Sequence, residues 1–509
     1  MVKCVIRAAG AARAALGSVR HVFGTFLLLL IAAAPAAGQS ILLDLQRLPI
    51  SDEFSSEAYA VSADGSTIVG RGTPVQRAWR LDDQFNTIFL GDQQGGGDLS
   101  TARAVSADGS VVVGRVHTTS GAEAFRWTNA TGLMVGLGDL PGGAFESDAW
   151  GVSHDGTVVV GYGVSPGGTL SGAEAFRWQL TDPLTGTGEM IGLGDLPGGD
   201  STSAATGVSA DGTVIVGASS SAASDAYSLF ATEAFRWALT DPVTGAGTMI
   251  GLWDLSGGGF NSFATAVSAD GTTVVGRGLS GDGTEAFRWR DGVMSGLGDL
   301  PGGDFLSVAN AVSADGSVVV GYSAVGVDDG GLNLLHPFIW DEENGMRDLV
   351  EVFADEGLAL LNLRLASANG VSADGRTFVG TGQSVFLTPG GTPRTEAWIG
   401  RLAVGGIEGD YNGNGLVEQA DLDLVLGNWG ADADDVPMTW VNDQPTGIID
   451  QEELDKALAG WGSTASSTAS LSPDPSDAAI PEPSAIVLLL VLAVSRGGLS
   501  LARQFGTVV

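Results

Sequence analysis

The stretch VSADGSVVVG, residues 105–114, sets a short polar turn between an apolar strand end and an apolar run. Near-copies begin at Val61, Val152, Val208, Val267, Val312 and Val371, so the same apolar–polar–apolar pattern is written seven times. Successive copies lie 44 to 59 residues apart, the period of propeller blades rather than of shorter leucine-rich or ankyrin units. Two further signals keep that period. One is an aromatic run such as EAFRW, carrying Trp79, Trp127, Trp178, Trp237, Trp289, Trp340 and Trp398. The other is GLGDLPGG at 136–143, with relatives at 89, 192, 251, 296 and 346. Each period therefore predicts four short strands: one ending at AVS, then VVVG, AFRW and MxGLGDL.

A four-stranded unit repeated radially is a propeller blade. The last repeat stops after its third strand, at EAWIGRL (396–402), while LLDLQRLP (42–49) resembles the fourth strand it lacks. Donating that N-terminal strand to the last blade would leave no open edge. The expected fold is all-β, a seven-bladed β-propeller closed by an N-terminal strand, followed by a small α-helical module with paired calcium loops.

The recurring Asp-Gly is expected to turn the chain, Gly supplying positive φ and Asp accepting backbone hydrogen bonds. The tryptophans are expected in the core between blades rather than on a sugar-stacking platform. Binding is expected on the opposite face, which carries the PGG loops, Asp200, Asp304 and insertions at 217–232 and 322–337.

Composition narrows the function. There are 24 Lys+Arg against 59 Asp+Glu, a net charge of −35, which disfavours nucleic acid and anionic membrane surfaces as partners. The 78 glycines favour turns over long helices. The only cysteine is Cys4, so no disulfide can form within the chain. Lys3, Arg7, Arg13 and Arg20 precede the apolar run 26–34 and the small residues Ala36 and Gly38, the layout of a signal peptide spanning 1–38. Histidines are dispersed, and no nucleophile elbow, phosphate loop or HExxH helix occurs.

The VSADGSVVVG, EAFRW and GLGDLPGG elements resemble the HAF family of extracellular repeats over residues 41–402. From residue 409, GDYNGNGLVEQADLDLVLGNWG has the spacing of a calcium loop. Asp410, Asn412, Asn414, Leu416 (through its carbonyl), Glu418 and Asp421 are the candidate ligands, and Gly415 permits the sharp turn. A weaker second copy offers Asn442, Gln444, Thr446, Ile448, Asp450 and Glu453. The pair, residues 408–462, resembles a dockerin, which implies Ca²⁺ and a cohesin-like partner. A Ser/Thr/Pro-rich linker (463–480) leads to PEPS, an apolar run and Arg496 and Arg503. Residues 481–509 thus resemble a PEP-CTERM sorting signal, which implies an exosortase-type enzyme and a transient membrane anchor. The reading is an exported, surface-sorted bacterial binding or scaffold protein with no catalytic residues assigned, whose ligand is a surface glycan or a docking protein. Its alternative is an extracellular propeller enzyme, a glycoside hydrolase or lyase acting on polysaccharide.

Overall fold

The computed structural model describes residues 40–402, apart from the loop stretches 46–54, 73–75, 92–98, 166–171, 200, 225–231, 328–332, 359, 361 and 388–392. Farther along it describes residues 422, 424–426 and 454. The chain divides into two compact units, and one of them contains Ser40–Leu402.

That unit is seven antiparallel sheets of four strands. The first blade comprises β2 (Ser56–Val61), β3 (Ile68–Gly72), β4 (Arg77–Leu81) and β5 (Thr87–Phe89), running from the axis outward. The second repeats it with β6 (Ser100–Val105), β7 (Val111–His117), β8 (Ala122–Thr128) and β9 (Met134–Gly136). Blades three to six follow in the same order, through β25 (Gly345–Asp348). The seventh takes β26 (Leu363–Val371), β27 (Thr377–Leu387) and β28 (Pro393–Arg401), and its outer strand is β1 (Ile41–Asp44). Ile41 pairs with Arg401 and Asp44 with Trp398, so the N-terminal strand closes the ring as its sequence implied.

The alternation along each strand explains the packing. In β8 Phe125 is fully buried and Trp127 nearly so. Val111, Val113 and Ala124 of the second blade pack with Val159, Phe176 and Trp178 of the third, so the core lies between blades. Each fully buried Phe stabilises by about 2–3 kcal/mol. The tryptophans belong to these layers; Trp289 and Trp340 are only partly buried.

The SxDG turns confirm the hairpin reading. Ser106 Oγ donates to Asp108 Oδ1 at 2.7 Å, Ser110 N–H donates to the same oxygen at 2.9 Å, and Gly109 sits at φ +69°. The glycine has a second cause. A Cβ on Gly109 would lie 2.2 Å from Thr67 Oγ1 of the preceding blade, so the turn itself is a blade-to-blade contact.

The residue between Ser and Asp completes a belt. Ala63 N–H donates to Ala107 O, Ala107 to His154, His154 to Ala210, Ala210 to Ala269, Ala269 to Ala314, Ala314 to Ala373, and Ala373 back to Ala63, at 2.9 to 3.2 Å. Seven backbone bonds thus run head to tail around the axis. Six members are alanine and one is His154.

Two expectations are corrected. The fourth strands stop at Gly136, Gly192, Gly251 and Gly296, and LGDL that follows is a turn, not strand. The reason is backbone: Gly138, Gly194 and Gly298 take φ of +82°, +74° and +78°. The segment 322–337 is no irregular insertion either; it is largely the lengthened hairpin of β23 (Val319–Val327) and β24 (Asn333–Asp341). Between blades six and seven the turn is replaced by a helix, α1 (Leu349–Asp355), capped by Asp348, whose carboxylate accepts from Val350 N–H at 2.9 Å. His336 Nδ1 lies 2.7 Å from the other Asp348 oxygen.

Candidate functional site at the channel mouth

Six of the innermost strands share the pattern S-x-A-X-A/G-V-S, for example SEAYAVS, STARAVS and SDAWGVS, and the seventh differs in having Ala366 in place of the first Ser. In every blade the ladder to the second strand shifts by one residue at X. That is a β-bulge, which re-aims a side chain out of the regular alternation. The bulged residues are Tyr59, Arg103, Trp150, Thr206, Thr265, Asn310 and Asn369. All seven line a cavity of about 250 Å³ at one end of the central channel, joined by Phe263. Below them the channel wall is Val, Ala and Gly, down to the residues of the amide belt.

The ring is two-sided. In blades four to seven the bulged side chain stitches its blade to the next. Thr206 Oγ1 donates to Ala264 O at 2.9 Å, Thr265 Oγ1 to Ala309 O at 2.7 Å, Asn310 Nδ2 to Ala368 O at 2.9 Å, and Asn369 Nδ2 to Ala58 O at 2.8 Å. In blades one to three it is large and joins a charged and aromatic cluster. Arg103 holds Asp148 in a bidentate pair, Nε to Oδ1 at 2.9 Å and Nη2 to Oδ2 at 2.8 Å. The same guanidinium lies 5.0 Å over the Trp150 ring, whose other neighbour is Tyr162 in an edge-on contact at 6.1 Å. Tyr59 O–H donates to Glu57, and Arg71 Nη2 pairs with Glu57 Oε1 at 3.0 Å. Arg115 bridges Glu146 at 3.3 Å and reaches Asp148 at 3.8 Å.

Burial raises the Asp148 carboxyl above its ordinary value, a push opposed by Arg103 and Arg115. Burial likewise raises the Tyr59 phenol, and the Glu57 carboxylate adds to it. The arrangement is a fixed array of one aromatic wall, paired charges and amide and hydroxyl oxygens. It is suited to recognition, because none of its members must move to present its polar atoms.

A second feature stands on the same face. Where the sister turns have Gly, the fourth blade has Trp253, at φ +68° and 69% exposed. A bulky residue in that region costs roughly 1–2 kcal/mol. The ring meets Phe260 edge-on at 6.5 Å.

Of the residues singled out from the sequence, Asp304 is exposed in its loop with no role in this ring. Asp200 lies outside the described residues. So do Asp410, Asn412, Asn414, Leu416, Glu418, Asp421, Asn442, Gln444, Thr446, Ile448, Asp450 and Glu453, together with the N- and C-terminal signals. Near the two expected helices, Leu422, Val425 and Leu454 are helical and buried. Among the described residues no helix is long and apolar enough to cross a membrane, and no His/Cys/Asp/Glu group is arranged for a metal. The seven mouth residues were not foreseen. Their signal was available as a variable column between near-constant Ala and Ala/Gly neighbours.

No family model and no curated protein matches the chain. The HAF, dockerin and PEP-CTERM resemblances therefore rest on their motifs. Similar solved structures include an oligogalacturonate lyase in complex with manganese, 14% identical over 72% of this chain and 98% of that one, with a TM-score of 0.44. The β-propeller domain of the Trilobed protease from Pyrococcus furiosus is 11% identical over 68% and 96%, with a TM-score of 0.42. TolB from Acinetobacter baumannii is 16% identical, with a TM-score of 0.35; the match spans 58% of this chain and 62% of TolB. The chain is a seven-bladed β-propeller by its own seven four-stranded sheets.

Proposed function

We propose that this is an exported, surface-sorted binding protein whose propeller presents a ligand site at the channel mouth. The supporting observation is the bulge column: seven positions of identical backbone carry Tyr, Arg, Trp, Thr, Thr, Asn and Asn, while the flanking residues stay Ala or Gly. A scaffold that varies at the column where its side chains converge, between near-constant neighbours, is suited to presenting those side chains. Residues 408–462 serve as a calcium-dependent docking module, with Asp410, Asn412, Asn414 and Asp421 as the principal ligands.

The test is capture from native cell-surface extract by the full chain, with and without calcium. Trp150→Ala should lose the propeller ligand and keep the calcium-dependent partner. Asp410→Ala should do the reverse. If both variants lose the same partner, the two-site reading is wrong; turnover of a captured polysaccharide would make the protein an enzyme.

A further inference from the structure

The ligand class can be read from which hydrogen-bonding atoms the mouth leaves unused. This step rests on the mouth being the binding site. Thr206 and Thr265 each carry one hydroxyl hydrogen, and both direct it to backbone carbonyls. Asn310 and Asn369 each use an amide N–H in the same way. What remains on this arc is mainly oxygen, two threonine hydroxyls and Asn310 Oδ1 as acceptors, together with the second N–H of Asn369 Nδ2, since only one is bonded to Ala58 O. Across the mouth Arg103 uses Nε and Nη2 on Asp148, which leaves Nη1 as a donor. Tyr59 and Trp150 on one arc and Phe263 on the other supply aromatic surface, each ring with a guanidinium over one face, from Arg71, Arg103 and Arg277 at 5.9, 5.0 and 5.2 Å.

Charge then weighs against both charged classes. Glu57, Glu146 and Asp148 are each paired with Arg71, Arg115 or Arg103, so these three pairs cancel, and Arg277, 5.2 Å over the Phe263 ring, adds one cation at the rim. An ammonium would gain the oxygens but face the Arg103 guanidinium. A carboxylate would gain Arg103 but face the threonine and asparagine oxygens, with Glu57 and Asp148 behind. A neutral ring with hydroxyls on its rim and one apolar face satisfies donors, acceptors and aromatics together. The cavity of about 250 Å³ lies below the ~300 Å³ at which drug-sized sites begin. Below it the channel continues between Val, Ala and Gly walls. We infer that the mouth binds the terminal neutral hexose of a glycan, with Trp253 on the same face as an exposed platform for the units that follow.

The experiment titrates the full chain, by calorimetry and tryptophan fluorescence, with maltose, cellobiose, chitobiose and mannobiose, and with digalacturonate and trilysine as charged probes. One neutral disaccharide is expected to bind more tightly than about 1 mM. Trp150→Ala should weaken it by roughly tenfold or more, and Leu184→Ala, at an exposed hairpin tip away from the mouth, should leave it unchanged. Trp150→Phe stands in should the alanine variant not fold, and should weaken binding less. Absence of binding by all four neutral sugars overturns the inference. Binding of digalacturonate or trilysine that is lost in Trp150→Ala also overturns it, while leaving the mouth as the site. Sugar binding indifferent to Trp150, Tyr59 and Arg103 substitutions overturns the mouth itself.

Discussion

Blades one to three and blades four to seven share a backbone, a bulge and a turn, yet they use the bulged residue for different ends. Thr206, Thr265, Asn310 and Asn369 tie each blade to the carbonyl of the next. Tyr59, Arg103 and Trp150 turn instead to Glu57, Asp148 and Tyr162. One column of the repeat thus stitches blade to blade over four blades and builds a charged, aromatic cluster over three. A bulge allows this because it frees a side chain from the sheet without disturbing the flanking strands.

The largest effect should come from removing what both halves depend on. Deleting residues 40–54 strips β1 from the last blade and exposes the core around Leu45, whose burial alone stabilises by about 2 kcal/mol. Thermal unfolding should drop sharply, and ligand binding should go with it. An unchanged melt would mean the ring does not need its closing strand.

Next, the halves should separate. Thr265→Val should cost about 1–2 kcal/mol in urea unfolding by losing its bond to Ala309 O, with binding weakened less than by Trp150→Ala. Trp150→Ala should do the opposite, chiefly abolishing binding. Equal effects from both would erase the distinction.

Trp253→Gly sharpens it further. Relieving positive φ at an exposed site should leave stability equal or raise it by about 1 kcal/mol, while weakening binding of longer glycans. Loss of stability would mean that the indole holds the turn.

Acid tests the same contrast with a smaller effect. At Asp64 burial works against the charge, but bonds from Ser62 and Ser66 prevail and its pKa is lowered; at Asp108 the backbone bond from Ser110 leads. A depressed carboxyl contributes stability present above its unfolded value, near 3.8, and lost as pH falls through its lower folded value. Asp148 has the opposite sign: its folded pKa is raised, so protonation begins above 3.8 and by itself favours the fold. Binding should therefore fade, as the Arg103 pair is released, before denaturant midpoints fall. Simultaneous loss of both would contradict this order.

Most of the ring was legible because its rules are local. Asp-Gly after an apolar run specifies a hairpin, EAFRW specifies a buried strand, and LLDL resembles what the last repeat lacked. GLGDL misled because its leucines look strand-like, whereas the glycine between them takes positive φ and bends the chain. The mouth was hidden for a different reason. Tyr59 in SEAYAVS reads as one more residue of an alternating strand, and only the cross-strand register shows that alternation is broken there. The amide belt was hidden more deeply, since an alanine at 63 or 107 advertises nothing about the carbonyl its N–H will meet in the next blade.

The pairing of β1 with β28 also sets how the ring answers to force. Because Ile41 lies opposite Arg401 and Asp44 opposite Trp398, the chain enters and leaves the propeller side by side, at the same end of one short ladder. Tension applied between those two points would not shear the four rungs together but would open them in turn, like a zip pulled from its tab. The seam that completes the circle is thereby its mechanical release: firm against heat, where every blade shares the strain, and yielding to a pull, where one rung bears it alone.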